Sequence, residues 1–122
     1  MKTALVIEDN DNNLELISFI LHARGYATRS AVTGLDGVAE ALRDRPDFIL
    51  LDIQLPDIDG IEVARRIRAA EGWPPVPIIA ITSFAMAGDR ERVLVAGCNG
   101  YIEKPIDPLR VMTQIEDVLA QA

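Results

Sequence analysis

Phe48-Ile49-Leu50-Leu51-Asp52 lies near the middle of the chain, and its reading decides the fold. Four consecutive large apolar residues predict a strand buried on both faces, the pattern of a central strand in a parallel sheet. The run stops on a carboxylate, and in the following Ile53-Gln54-Leu55-Pro56-Asp57 the proline prevents simple continuation as strand or helix. Open α/β sheets bind their ligands at the carboxyl ends of strands. Asp52 is thus the first candidate for chemistry.

Upstream, Ala4-Leu5-Val6-Ile7 is a second apolar run that also ends in acids, Glu8 and Asp9. Asn10 to Asn13 offer side-chain caps. Leu14, Leu16, Ile17, Ile20 and Leu21 then form an apolar face of helical period, and Gly25 stands where a left-handed C-cap belongs. Tyr26 to Ser30 predicts a less apolar strand nearer an edge. Thr33 caps a second helix carrying Val38, Ala39 and Leu42.

Downstream, residues 60–70 predict a helix with Ile61, Ala64 and Ile67 inward, followed by the turn-rich Glu71-Gly72-Trp73-Pro74-Pro75. Val76 to Thr82 is the fourth strand, Ala87 to Ala96 a more polar helix closed by Gly97, Tyr101 to Glu103 the fifth strand and Leu109 to Leu119 the last helix. Five alternations of strand and helix call for an α/β fold: a parallel sheet joined by right-handed crossovers and covered on both faces. A doubly wound, flavodoxin-like three-layer sandwich of order 2-1-3-4-5 would bring the ends of strands one and three, with Glu8, Asp9 and Asp52, to the switch point.

The 122 residues suffice for one domain that buries roughly two-thirds of its unfolded surface. They are expected to form a single domain with no output domain. A formal net charge of −7 argues against nonspecific nucleic-acid binding. No stretch approaches the ~20 apolar residues of a membrane span, the N-terminus lacks a signal-peptide core, and the one cysteine, Cys98, excludes an internal disulfide. A soluble cytoplasmic protein is the expectation.

Three carboxylates gathered at one sheet edge repel: a pair at ~4 Å costs about 1 kcal/mol in bulk water and about 4 kcal/mol at a dielectric near 20. Oxygen ligands without a Cys or His cluster favour a hard divalent cation, and Mg²⁺ is typically held by one or two carboxylates plus waters. Strands four and five would add Thr82 and Lys104. A hydroxyl, an ammonium and a metal around one free carboxylate suit phosphoryl oxygens, with Asp52 as nucleophile giving an acyl phosphate.

Glu8-Asp9, Asp52 with Leu55-Pro56, Gly60, Thr82, Tyr101 and Lys104-Pro105 stand in this order along the whole chain. In these residues the sequence resembles the receiver domains of two-component response regulators, and most of all those of hybrid kinases and of stand-alone bacterial cell-cycle regulators. The resemblance implies that Asp52 takes a phosphoryl group from a sensor histidine kinase or histidine phosphotransfer protein. It implies that Asp9, Asp52 and the backbone carbonyl of Gln54 hold Mg²⁺, with Glu8 acting through water. Thr82 and Lys104 would bind the phosphoryl oxygens, Pro56, Gly60 and Pro105 would be structural, and the Lys104–Pro105 peptide would be cis.

It further implies that Thr82 and Tyr101 move on phosphorylation and change the face made by helix four, strand five and helix five. That face would meet a downstream protein target, unless the domain relays its phosphoryl group onward. A monomer or weak dimer, bound to neither nucleic acid nor membrane, is expected. Two departures stand out: Glu8 replaces the usual first Asp, and Ser83 stands where the family carries Ala or Gly. Gln54 and Phe84 occupy positions that flank the path of hydrolytic water in this family, so bulky Phe84 is expected to slow loss of the phosphoryl group.

Two other functions remain open on the residues alone. One is a small flavodoxin-like module whose acids merely hold a metal. The other is an aspartate-nucleophile phosphatase using Asp57 or Asp59 of Asp57-Ile58-Asp59-Gly60. The run beginning at Asp9 is not a calcium loop, because Leu14 replaces the required glycine and Ile20 the final glutamate. His22 reads as a surface residue and Cys98 as packing. Asp89, Arg90, Glu91 and Arg92 read as an interface or a solvated face.

Overall fold

Leu5 and Ile7 alternate with Ala4 and Val6 across the sheet, and Ile49 and Leu51 alternate with Phe48 and Leu50, so that each strand feeds two separate cores. The computed structural model describes residues 1–83 and 88–122. Its elements run β1 (Thr3–Ile7), α1 (Asp11–Ala23), β2 (Ala27–Ala31), α2 (Gly34–Arg43), β3 (Phe48–Asp52), α3 (Gly60–Ala70), β4 (Ile78–Thr82), α4 (Asp89–Val95), β5 (Gly100–Glu103) and α5 (Val111–Gln121). The strands form one parallel sheet, as the alternation of apolar runs predicts, in the order β2-β1-β3-β4-β5 expected of the doubly wound fold.

One core lies between the sheet and α1 and α5, around Ile17, Leu21, Met112 and Ile115. The other lies beneath α2, α3 and α4, around Ala41, Ala64, Ile67 and Val93. β3 is buried along its whole length, whereas β2 at the edge is only partly covered.

Several boundaries differ from the expectation for identifiable reasons. β2 starts at Ala27 because Tyr26 still belongs to the end of α1: its N–H bonds Leu21 O (3.1 Å) and that of Gly25 bonds His22 O (3.0 Å), with Gly25 at φ 86°. β4 starts at Ile78, after Pro77, which has no N–H to give. α5 starts at Val111 rather than Leu109, whose N–H is taken by the Asp107 side chain at 3.0 Å and whose own side chain is exposed. In α2 the apolar reading of Ala39 and Leu42 is corrected. Both are exposed, and the helix instead buries Gly34, Gly37 and Ala41. A Cβ on Gly37 would stand 2.6 Å from Ile7 Cδ1, so the missing side chain lets α2 press onto β1.

The Lys104–Pro105 peptide is cis as expected, and Trp73–Pro74 is cis as well. The expected start of helix four at Ala87 falls outside the described residues. Among the described residues, no helix is long and apolar enough to cross a membrane.

Candidate functional site

β1 and β3 are neighbours with Ile7 opposite Leu51, so the residues that follow them emerge side by side at the carboxyl end of the sheet. Glu8, Asp9 and Asp52 meet there, each offering an oxygen within 4.8 Å of the others'. Glu8 and Asp52 are each only 2% exposed, while Asp9 faces solvent.

β5 brings in the counter-charge. Lys104 Nζ donates to Asp52 Oδ2 at 2.9 Å and lies 3.9 Å from Glu8 Oε1. The backbone of Lys104 is fixed to the end of β4 by its N–H bond to Thr82 O (2.8 Å). Thr82 is buried there, on the same face of the sheet as Ala80, which is opposite Tyr101. The other oxygen of Asp52, Oδ1, accepts from the backbone N–H of Gln54 at 3.0 Å.

One ammonium therefore serves two buried carboxylates, with a third, Asp9, beside them. Both Glu8 oxygens are buried and accept no hydrogen bond from a described residue. Burial first, and the adjacent Asp52 carboxylate second, push the Glu8 carboxyl up to about 7, with Lys104 only partly offsetting them. A buried carboxylate left without donors is a costly arrangement unless a cation completes it. The donor set is all oxygen, part buried and part open to water, and this fits a hard ion of the Mg²⁺ class.

The loop after β3 is held by α3. Gly60 N–H bonds Ile53 O at 2.9 Å. A Cβ at Gly60 would stand 2.7 Å from both Asp52 O and Ile53 Cα, backbone atoms that cannot swing aside. Gly60 is the close approach that seats the acidic loop. Pro56 is exposed within this loop, and Pro105 is exposed just past Lys104.

Asp57 and Asp59 are occupied elsewhere. The Asp57 carboxylate accepts from the N–H groups of Gly34 (2.7 Å) and Leu35 (2.8 Å) at the start of α2, and these bonds hold it down at about 2. Asp59 caps α3 through Glu62 N–H at 2.9 Å. Both serve as helix caps, which removes the geometric basis for a phosphatase nucleophile at either position.

Two contacts were not anticipated. Ser83 Oγ donates to Gln54 Oε1 at 3.1 Å, linking the loops after β3 and β4. Arg90, read as part of a charged helix face, bonds the Tyr101 hydroxyl through Nε at 2.8 Å and also through Nη2. An arginine and a tyrosine eleven positions apart carry no spacing signal in the sequence, so only the fold brings this pair together. Phe84 lies outside the described residues. His22 is exposed and pairs with Thr28 Oγ1 at 2.9 Å; Cys98 is buried, which pushes its thiol up to about 11 and suits packing.

Residues 4–116 match the response regulator receiver domain. The chain is 40% identical over 121 residues to the polar-differentiation response regulator DivK of Brucella anthropi, covering 99% of this chain and 98% of the relative. It is 38% identical to the receiver domain of sensor histidine kinase PA1611 from Pseudomonas aeruginosa PAO1, with a TM-score of 0.87 over 98% of each chain; that structure holds a magnesium ion coordinated in its active site cleft. The chemotaxis protein CheY4 of Vibrio cholerae shares the fold at a TM-score of 0.90 and 24% identity, over 97% of this chain and 98% of that one.

Proposed function

The chain belongs to the response regulator receiver domain family of two-component signalling, and from that premise we propose that it is a phosphorylation switch whose acceptor is Asp52. The supporting observation is the Asp52 carboxylate itself, buried at the end of β3 and bonded to Lys104 at 2.9 Å beside two further acids.

The donor is a phosphohistidine of a sensor kinase or phosphotransfer protein. A carboxylate oxygen of Asp52 attacks phosphorus as the P–N bond breaks, and the bonding pair leaves on the imidazole nitrogen. Lys104 is within reach of the acceptor oxygens and transfers its hydrogen bond to a phosphoryl oxygen, while the Thr82 hydroxyl provides a second donor. Mg²⁺, which Asp9, Asp52 and the carbonyl of Gln54 would hold with Glu8 acting through water, would supply the remaining positive charge. Gly60 keeps the loop against β3, and the backbone N–H of Gln54 orients Asp52. The readout is the surface of α4, β5 and α5, presented to a protein target in the cytoplasm, or passage of the phosphoryl group to another histidine.

The test is incubation with acetyl phosphate and Mg²⁺ followed by intact-mass measurement. One added phosphoryl group is expected, absent in Asp52→Asn and after chelation. Absence of the adduct in the parent protein, or its persistence in Asp52→Asn, refutes the assignment. Metal binding with no adduct would leave a metal-holding module.

A further inference from the structure

The connector after α3 leaves the chain's only tryptophan in water: Trp73 is 91% exposed. The segment that carries it is tied at its base. Glu71 Oε1 accepts from Val76 N–H at 2.8 Å, and Arg68 donates to Glu71 Oε2 at 2.6 Å. A large aromatic on a loop already held in place needs little further ordering when a partner covers it.

Beside Trp73 lies a concavity of about 180 Å³ between the ends of α2 and α3, with Gly72 in its wall. Buried Ala41, Ile67 and Val76 line it, and so does the exposed Leu42. Its volume is below the roughly 300–1,000 Å³ of small-molecule pockets and suits a single protein side chain. Two charged residues share the lining. Glu71 is engaged at both oxygens, whereas the guanidinium of Arg45 is exposed and has no ion pair or hydrogen bond among the described residues. Tryptophan and arginine are among the residues that most often carry the energy of protein contacts.

Charge selects the occupant. A second copy would present the same patch across a two-fold axis, setting Arg45 against Arg45 with no free carboxylate in the lining to answer it. The partner must bring its own acid. We infer that this face docks a segment of another protein in which an acidic residue stands beside a large apolar one. The apolar side chain enters the concavity against Leu42, the carboxylate meets Arg45, and Trp73 covers the segment. The face lies before β4, at the end of the parallel sheet away from Asp52. Docking here leaves the acidic pocket open and is independent of the phosphoryl-acceptor reading.

The experiment selects a random peptide library on the immobilised full chain, then titrates the enriched peptides while recording Trp73 emission. Enriched sequences are expected to place Asp or Glu beside Leu, Ile or Phe, and saturable binding to shift the emission to shorter wavelength. Arg45→Glu keeps this reporter and is expected to bind the same peptides about tenfold more weakly. Trp73→Ala, followed by calorimetry, is expected to lose about as much. Both side chains are exposed outside the helices, so neither variant disturbs the core. Enriched peptides without acids, binding that leaves the emission unchanged, or equal affinity for parent and Arg45→Glu each overturn the proposal. So does a selection that enriches no sequence. Sedimentation showing a parent dimer that Trp73→Ala dissolves overturns it as well, by giving the face to a second copy.

Discussion

The two ends of the sheet treat their polar groups in opposite ways. At the amino end of β4, Arg68 donates to Gly97 O (2.9 Å), Glu71 Oε2 (2.6 Å) and Asn99 Oδ1 (3.1 Å). Asn99 Oδ1 also accepts from Ile78 N–H (2.9 Å), and Glu71 Oε1 from Val76 N–H (2.8 Å). The cluster closes on itself and joins α3 to the β4 and β5 ends. At the carboxyl end, among the described residues, neither buried oxygen of Glu8 accepts a hydrogen bond, and Asp52 accepts from one lysine and one backbone N–H. A satisfied network holds a fold together, whereas an unsatisfied one is held in place by the fold and is available to a ligand.

The comparison is broken most directly at the closed end. Arg68→Ala removes three hydrogen bonds at once and is expected to cost about 3 kcal/mol in urea unfolding, about 1 kcal/mol for each. Gly60→Ala, which drives a methyl group into the backbone of Asp52 and Ile53, is expected to cost about 2 kcal/mol by the same measurement and to weaken Mg²⁺ binding by displacing the acidic loop.

Glu8→Gln has the opposite sign. Removing a buried charge that accepts no hydrogen bond from the described residues should stabilise the metal-free protein by about 1 kcal/mol, while the rise in Tm produced by Mg²⁺ shrinks relative to the parent. Loss of stability in Glu8→Gln would mean that the carboxyl end is as closed as the amino end.

The smallest effect is expected at Asp57, and it carries a pH signature. Its carboxyl is held at about 2, below the ordinary 3.8, by N–H groups at the start of α2. A depressed carboxyl stabilises the folded state fully above its unfolded value and progressively less as pH falls through the folded one. Asp57→Asn should therefore be less stable than the parent near pH 6, with the difference closing between about pH 4 and pH 2.

Most of the fold was legible because burial on two faces writes itself into continuous apolar runs. Phe48 to Leu51 and Ala4 to Ile7 could hardly be anything but inner strands. Glu8, Asp9, Asp52, Thr82 and Lys104 could be grouped because all lie at or just past strand ends, and parallel strands bring their carboxyl ends to one side. α2 was less legible. Its buried face consists of Gly34, Gly37 and Ala41, residues that carry almost no hydropathy signal, so the larger Leu42 misled the eye. The Arg68 cluster and the Arg90–Tyr101 pair were invisible for another reason: each joins elements through polar side chains whose partners are chosen by tertiary geometry.

The two-sided packing of β3 has a mechanical consequence. Phe48 and Leu50 are clamped by one helical layer, Ile49 and Leu51 by the other, so the post that carries Asp52 has no slack in either direction. Were Asp52 modified as proposed, the change would have to spread sideways, through loops and the outer strand and helix, rather than along β3. Whatever binds at that tip meets a support packed on both sides and a rim that is packed on one.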